Sequence, residues 1–240
     1  LAEALRGADT VVLATPTLIA EQVMARLPGL LEPSTVLTDV ASVKGNLLRK
    51  ARELWGREPS NLVLGHPIAG SEESGVDAAR AGLFEQHRVI LTPTQHTDSG
   101  ALAVVEQMWQ AVGAEVVQMD VARHDKVLAA TSHLPHILAY SLVDLLASQD
   151  RQQDIFRFAA GGFRDFTRIA SSDPQMWHDI SLANREALLD MIDQFAGQLQ
   201  QLREAIADKD SEQIMALYSN AKSARDQFAE LLQARQSSAG

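Results

Sequence analysis

The chain has 240 residues, 46% of them hydrophobic and 22% charged, with 14 glycines and 8 prolines, a balance that suits one large folded domain or two modest ones and argues against disorder or a fibrous repeat. Acidic residues outnumber basic ones 31 to 21, and the formal charge of −10 argues against a general nucleic-acid or membrane-surface binder while leaving room for a local basic pocket. There is no cysteine, which excludes disulfides, thiolate chemistry and cysteine-ligated zinc, and no apolar run approaches the ~20 residues that span a bilayer, so a cytoplasmic protein is expected.

Leu1 to Arg6 reads as the end of a helix that runs into an apolar strand, Val11 to Thr15, closed by Pro16. Leu18, Ile19, Val23, Met24 and Leu27 share one face of a helix over residues 17–28. Thr35 to Val40 is a second strand and is followed by a helix from about Val43 to Trp55. Asn61 to Pro67 and Arg88 to Pro93 form a third and a fourth strand, Ser99 to Val112 a helix, and Glu115 to Met119 a fifth strand. Strands separated by helical patterns indicate βαβ units on a mostly parallel sheet. After Met119 the strand signal stops, and helical patterns cover 121–149, 151–168, 175–208 and 211–236, with breaks near Gly161-Gly162 and Asp173-Pro174. The expected organisation is therefore α/β over residues 1–120 and all-α over 121–240. A Gly-x-Gly-x-x-Gly turn, which would place a pyrophosphate on a helix N-terminus, does not occur. Either the fold never bound a dinucleotide, or the chain starts after the first βαβ unit.

Four segments could carry chemistry. His66 stands at the carboxyl end of a strand, where open α/β sheets bind ligands, and a histidine there can exchange a proton near neutral pH; the alternative is a ring that caps the strand end. In Asp39-Val40-Ala41-Ser42-Val43-Lys44-Gly45, Ser42 can cap the following helix or meet a ligand. Lys44 places a cation in a first helical turn, which points to an anionic ligand or else to a solvated side chain. His133 and His136, three apart around Pro135, could share a face and ligate a metal, although no third ligand stands nearby and the zinc-protease pattern is absent. Gly161-Gly162 permits close backbone approach, and Asp165 three residues before Arg168 could hold the guanidinium for a substrate carboxylate; the alternative is a surface ion pair.

Together these segments resemble the prephenate/arogenate (cyclohexadienyl) dehydrogenase family. The resemblance runs from Ala14-Thr15-Pro16 through Asp39–Gly45, Gly65-His66-Pro67-Ile68-Ala69-Gly70-Ser71 and Thr131-Ser132-His133-Leu134-Pro135-His136 to Gly161–Ala170, in the family's order. It implies a partial Rossmann-type parallel sheet followed by a helical dimerisation domain like the C-terminal domain of 6-phosphogluconate dehydrogenase. It also implies a chain lacking roughly 60–80 residues of an initial glycine-rich unit. The implied reaction is oxidative decarboxylation of prephenate to 4-hydroxyphenylpyruvate with NAD, in a homodimer without a metal. By the same resemblance His66 accepts the proton of the ring hydroxyl, and Ser42 contacts that hydroxyl and the nicotinamide. Arg168, oriented by Asp165, grips a carboxylate, with Lys44 and Gly161 also on the substrate side. Ser132, His136 and Trp177 form the pocket wall, and Ser71 and Glu72 belong to a loop closing its mouth. Thr15, Pro16 and Asp39 lie at cofactor-side strand ends. An arogenate-preferring enzyme and a non-catalytic helical dimer or regulatory module are the alternatives.

Overall fold

The computed structural model describes residues 1–70, 76–149 and 152–238. Its first part runs α1 (Ala2–Leu5), β1 (Thr10–Leu13), α2 (Thr17–Met24), β2 (Val36–Asp39), α3 (Gly45–Trp55), β3 (Leu62–Val63), β4 (Gly65–Pro67), β5 (Arg88–Leu91), α4 (Ser99–Ala111) and β6 (Glu115–Gln118). Strands β1, β2 and β3 form a parallel sheet in which Val11 faces Leu37 and Leu37 faces Leu62. All four residues of β2 are buried, as expected of a strand covered on both faces.

The single strand expected over 61–67 is two strands in two sheets. Leu64 lies at the switch, where its carbonyl accepts from Thr92 N at 2.9 Å, while Gly65 N donates to the Asp39 side chain at 3.2 Å instead of continuing the ladder. A side chain at Gly65 would put its Cβ 3.1 Å from Leu91 and 3.2 Å from the Asp39 carbonyl, so the close approach there requires glycine. Strand β4 pairs antiparallel with β5, a departure from the parallel expectation, and β5 pairs parallel with β6. The cause is the connection. Between β4 and β5 the described residues carry only a 3-10 turn, Val76–Ala78, and without a crossover helix the strand returns alongside its neighbour in the opposite sense.

Two apolar clusters hold this part together. Leu13, Ala20, Met24, Leu37, Leu47 and Ala51 pack α2 and α3 against the first sheet. Val63, Val89, Leu91, Val105 and Trp109 pack α4 across β3 and β5. Asp98 caps α4, its side chain accepting from Ala101 N at 2.9 Å.

The second part contains α5 (Val121–Leu128), α6 (Leu134–Ala147), α7 (Gln152–Arg157), α8 (Gly161–Thr167), α9 (Pro174–Ala183), α10 (Arg185–Ala207) and α11 (Ser211–Ser238). The helix expected over 121–149 is divided by a π-helical turn, Ala129–His133, in which Leu134 N bonds the Ala129 carbonyl. Pro135 has no N–H to continue the ordinary ladder, so the irregularity falls in the turn before it. The helix expected over 175–208 breaks at Asn184, and the one expected over 151–168 is interrupted ahead of Gly161. The chain divides into two compact units, residues 1–188 and 189–240. The second unit presents exposed apolar side chains at Leu199, Ile206, Met215 and Leu231. Among the described residues, no helix is long and apolar enough to cross a membrane.

Leu47 is wholly buried between α3 and the sheet. Leu47→Ala is expected to lower the unfolding free energy by about 2–5 kcal/mol, measured by urea denaturation. A loss of a few tenths would mean that α3 does not pack as described.

Candidate active site

The site begins with a buried ion pair. Asp39 ends β2 and Lys44 sits at the N-cap position of α3, both inaccessible to solvent, with the ammonium bonded to the carboxylate and to the Gly65 carbonyl at 2.6 Å. Asp39 also accepts from Ala41 N at 2.8 Å, so the turn between β2 and α3 closes on its own strand end. Burial pushes the carboxyl above and the ammonium below their ordinary values, and each is the other's main counterweight. This geometry corrects one expectation. Lys44 is neither a solvated side chain nor open to an anionic substrate, because its ammonium is enclosed between Asp39 and Gly65. Asp39 stands at the end of β2 with its side chain turned to Lys44 and to the amides of Ala41 and Gly65.

Nor does Ser42 cap α3. The amides of Lys44 and Gly45 donate instead to Asp125 of α5, at 3.0 Å to Oδ1 and 2.8 Å to Oδ2. Ser42 is left half-buried in the wall of a cavity.

From Asp125 a chain of hydrogen bonds leads to the same cavity. His124 Nδ1–H donates to Asp125 Oδ1 at 2.8 Å, which makes His124 Nε2 the acceptor for His66 Nδ1–H at 2.9 Å. The partners thereby set both tautomers, and His66 Nε2 keeps its lone pair. Burial, with the nearby Lys44, His124 and His133, holds the His66 imidazole well below its usual range, so it is neutral at neutral pH. Burial alone would raise Asp125, but the bonds from His124, Lys44 N and Gly45 N outweigh it and leave the carboxyl below its ordinary value. His124 and Asp125 were not singled out in the sequence. Their only mark there is an adjacent His-Asp pair just after a helix-capping Asp120.

The opposite wall comes from the helical part. His133 is buried, accepts from Asn184 Nδ2 at 3.0 Å and is lowered by burial to about 4. Asn184 Nδ2 also donates to the Asp125 carbonyl at 2.8 Å. His136 stacks on Trp177 with ring centroids 3.6 Å apart and 18° between planes, and its Nδ1–H donates to the Ser132 carbonyl at 2.8 Å. The two histidines three apart are therefore engaged separately. Among the described residues no group of three or more metal-ligating side chains comes together. The indole N–H of Trp177 is buried without a protein partner.

Between these walls lies a cavity of about 830 Å³. Ala14, Val40 and Ser42 line it from the strand ends, His66 from β4, and Ser132, His133, His136 and Trp177 from the helices. Among the described residues no Lys, Arg, Asp or Glu lines it. At the β1 end, the Thr15 hydroxyl is buried without a protein partner and Pro16 occupies the N-cap position of α2.

Asp165, Arg168 and Gly161 are not among the residues that line the cavity. Asp165 pairs with Arg164, at 3.0 Å on an exposed surface, and not with Arg168 as expected. The reason is that α8 ends at Thr167 and tightens into a 3-10 turn, Arg168–Ser171, so the helical three-residue spacing is not kept. Arg168 is exposed and adjoins Ile169, which lines the cavity. Gly161 starts α8 at the surface. Ser71 and Glu72 lie outside the described residues.

Residues 2–118 match the family model described as the nucleotide-binding domain of prephenate dehydrogenase, and residues 120–220 match its dimerization domain. The chain is 37% identical over 226 residues to the cyclohexadienyl dehydrogenase of Zymomonas mobilis, covering 93% of this chain and 76% of that protein. It is 40% identical over 228 residues to the prephenate dehydrogenase of Bacillus subtilis, covering 92% of this chain and 60% of that protein. Among solved structures, the prephenate dehydrogenase of Aquifex aeolicus in complex with hydroxyphenyl propionate and NAD+ matches with a TM-score of 0.84 at 38% identity, covering 92% of this chain and 76% of that one. The arogenate dehydrogenase of Synechocystis matches with a TM-score of 0.80 at 28% identity, covering 95% and 82%. With both parts of the chain matched in order by the two family models, and a relative 37% identical over 76% of its own length, the chain belongs to the prephenate dehydrogenase family.

Proposed function

We propose that this chain catalyses the NAD-dependent oxidative decarboxylation of prephenate to 4-hydroxyphenylpyruvate, on the route to tyrosine, with His66 as the proton acceptor. The chief support is the hydrogen-bonded series Asp125–His124–His66, which ends on a cavity closed on its other side by His136 and Trp177. Family membership and the relatives' names point the same way. We assign residues 1–120 to nucleotide binding and 121–240 to substrate binding and assembly, as a cytoplasmic homodimer.

The residues present fit the nicotinamide end of a dinucleotide. Ala14, Val40 and Ser42 line the cavity at the carboxyl ends of two parallel strands, and the Thr15 hydroxyl is a buried polar group lacking a protein partner. Thr15, Pro16 and Ser42 would hold that end, and NAD when bound supplies the hydride acceptor.

The substrate must lose a hydride from the ring carbon bearing its hydroxyl and lose its ring carboxylate as carbon dioxide. As the hydride departs, the hydroxyl takes on the character of a protonated carbonyl and becomes strongly acidic. A weak base is then sufficient, and His66, held neutral by burial, offers Nε2 to that proton. The imidazolium that results keeps its Nδ1–H on His124, whose own Nδ1–H remains on the Asp125 carboxylate, so the new charge is stabilised without a second proton moving. The electrons of the broken carbon–carbon bond aromatise the ring, and His66 returns the proton to the phenolate oxygen. No net proton is released. Ser42 contacts the same hydroxyl, the stacked His136–Trp177 pair forms a flat wall for the ring, Ser132 adds to that wall, and Arg168, next to the lining residue Ile169, takes a substrate carboxylate.

His66→Asn is expected to lower kcat by about 10²–10⁴-fold while KM stays within a few-fold, measured by NADH formation under saturating NAD. A variant within a few-fold of wild type would mean that His66 only ends its strand. Because the base must be unprotonated and its value is lowered, kcat/KM should be level around neutrality and fall only on the acid side of pH 6.5. A limb above 6.5 would assign the proton to another group. His124→Leu, which removes the acceptor for His66 Nδ1–H, should cost at least about 10²-fold in kcat, toward the ~10⁴-fold lost when the partner orienting a catalytic histidine is neutralised. His124→Gln keeps an acceptor and should recover part of that loss. Equal activity in both variants, with unchanged circular dichroism, would remove His124 from the mechanism.

A further inference from the structure

We infer that Asn184 is a positioning residue, which fixes His133 with its ring proton on Nε2 and so makes His133 a hydrogen-bond donor to an oxygen of the bound substrate. The inference rests on the function proposed above and adds to it a donor that faces the proton acceptor His66.

The direction of each bond follows from Asp125. Its backbone carbonyl can only accept, so the Asn184 atom 2.8 Å from it is Nδ2, and the side-chain amide has one orientation. The same Nδ2 lies 3.0 Å from His133 Nδ1, and a ring nitrogen facing an N–H must offer its lone pair. The proton of the neutral imidazole is then on Nε2. Asn184 is held for this task. It is buried at the junction of α9 and α10, its N–H donating to the Ile180 carbonyl at 2.9 Å and its carbonyl accepting from Leu188 N at 3.0 Å.

His133 lines the cavity, and with Nδ1 turned to Asn184 the nitrogen across the ring is the one left to it. Among the described residues Nε2–H has no protein partner. Burial holds the ring at about 4, against the pull of Asp125 and with His124 and His136 adding to the lowering, so His133 donates as an uncharged group.

Asp125 thereby gives the two cavity histidines opposite tautomers. Its carboxylate acts through His124 and leaves His66 Nε2 with a lone pair. Its carbonyl acts through Asn184 and leaves His133 Nε2 with a proton. A substrate with one hydroxyl proton to give up and two carboxylates needs an acceptor for the first and donors for its oxygens. The described lining has no lysine or arginine to serve as donor. An uncharged N–H supplies that bond without an ion pair, so it does not hold charge on the carboxylate that must leave. Charge on His133 would also oppose protonation of His66, so an uncharged neighbour is what the transient imidazolium requires.

The tautomer is read by ¹⁵N NMR of the full chain carrying labelled histidine, at neutral pH, with the His133 signals identified by their loss in His133→Gln. Wild type should show an unprotonated Nδ1 and a protonated Nε2. In Asn184→Asp the new carboxylate can only accept, and Nδ1 should become protonated. A protonated Nδ1 in wild type, or an unprotonated one in Asn184→Asp, overturns the assignment of Asn184 and leaves the proposed function standing. Prephenate turnover then separates a donor from a packing group. His133→Leu should lower kcat/KM about tenfold or more, as for loss of a hydrogen bond to a charged group, while His133→Gln, whose amide N–H can replace Nε2–H, should stay within about threefold of wild type. No loss in His133→Leu, or an equal loss in both variants, overturns the donor role. Wild type that does not turn over prephenate removes the proposed function, and the substrate of the donor with it.

Discussion

Asp125 is the residue on which the site depends. Its two carboxylate oxygens take the first amides of α3 and the Nδ1–H of His124, while its backbone carbonyl takes Asn184, which in turn holds His133. The N-cap residue of α3, Lys44, makes no capping bond of its own, so the acceptor for that helix end comes from 80 residues further along the chain. A carboxylate is well matched to this place because the amides and the helix dipole both favour negative charge. The approach is so close that a Cβ on Gly45 would lie 2.7 Å from Asp125 Oδ2. One side chain thus joins the strand–helix turn that carries Ser42 to the helix that carries His124.

The Asp39–Lys44 pair works from the other side of the same turn. A buried pair of this kind contributes little net stability against an apolar alternative, yet losing one partner costs about 3–5 kcal/mol by leaving a charge uncompensated. Its value here is geometric. It bonds the end of β2, the start of α3 and the β3–β4 junction at Gly65, one residue before His66. The positive charge of Lys44, enclosed behind the wall, also helps to keep His66 unprotonated.

Much of the architecture was readable from local pattern. The strand starting near Val11, the buried strand before Asp39, the helix ending at Trp55 and the change to helices after Met119 all follow from runs and periodicities in the chain. His66, Ser42, Ser132, His136 and Trp177 were identifiable as a group through the resemblance, and the fold brings them to one cavity. What was not readable depends on contacts between distant segments. The split of the strand at Leu64 follows from the Asp39 side chain replacing a backbone partner. Lys44 at a helix start suggested an anion site because its buried partner is a tertiary fact. Asp165 and Arg168 have the spacing of a helical pair, but the helix tightens between them. His124, Asp125 and Asn184 belong to no recurring pattern, and only the packing of α5 on α3 reveals them.

The charge distribution of the cavity suits the proposed chemistry in a way that no single residue does. A carboxylate that leaves as carbon dioxide gives up its negative charge to the ring, so a strong ion pair on that group would stabilise the reactant more than the transition state. The described lining has no fixed cation and its deep histidines are held neutral by burial, so no such penalty arises inside. Attraction for the dianion is left to Arg168 at the edge, where water still moderates it. The interior then has one electrostatic task, to accommodate the transient imidazolium of His66. Among the described residues, the anion connected to that ring by hydrogen bonds is Asp125, through His124. Attraction at the rim and proton handling in the interior are therefore carried by different residues, and the neutral stretch between them is where the ring must lie to lose its carboxylate.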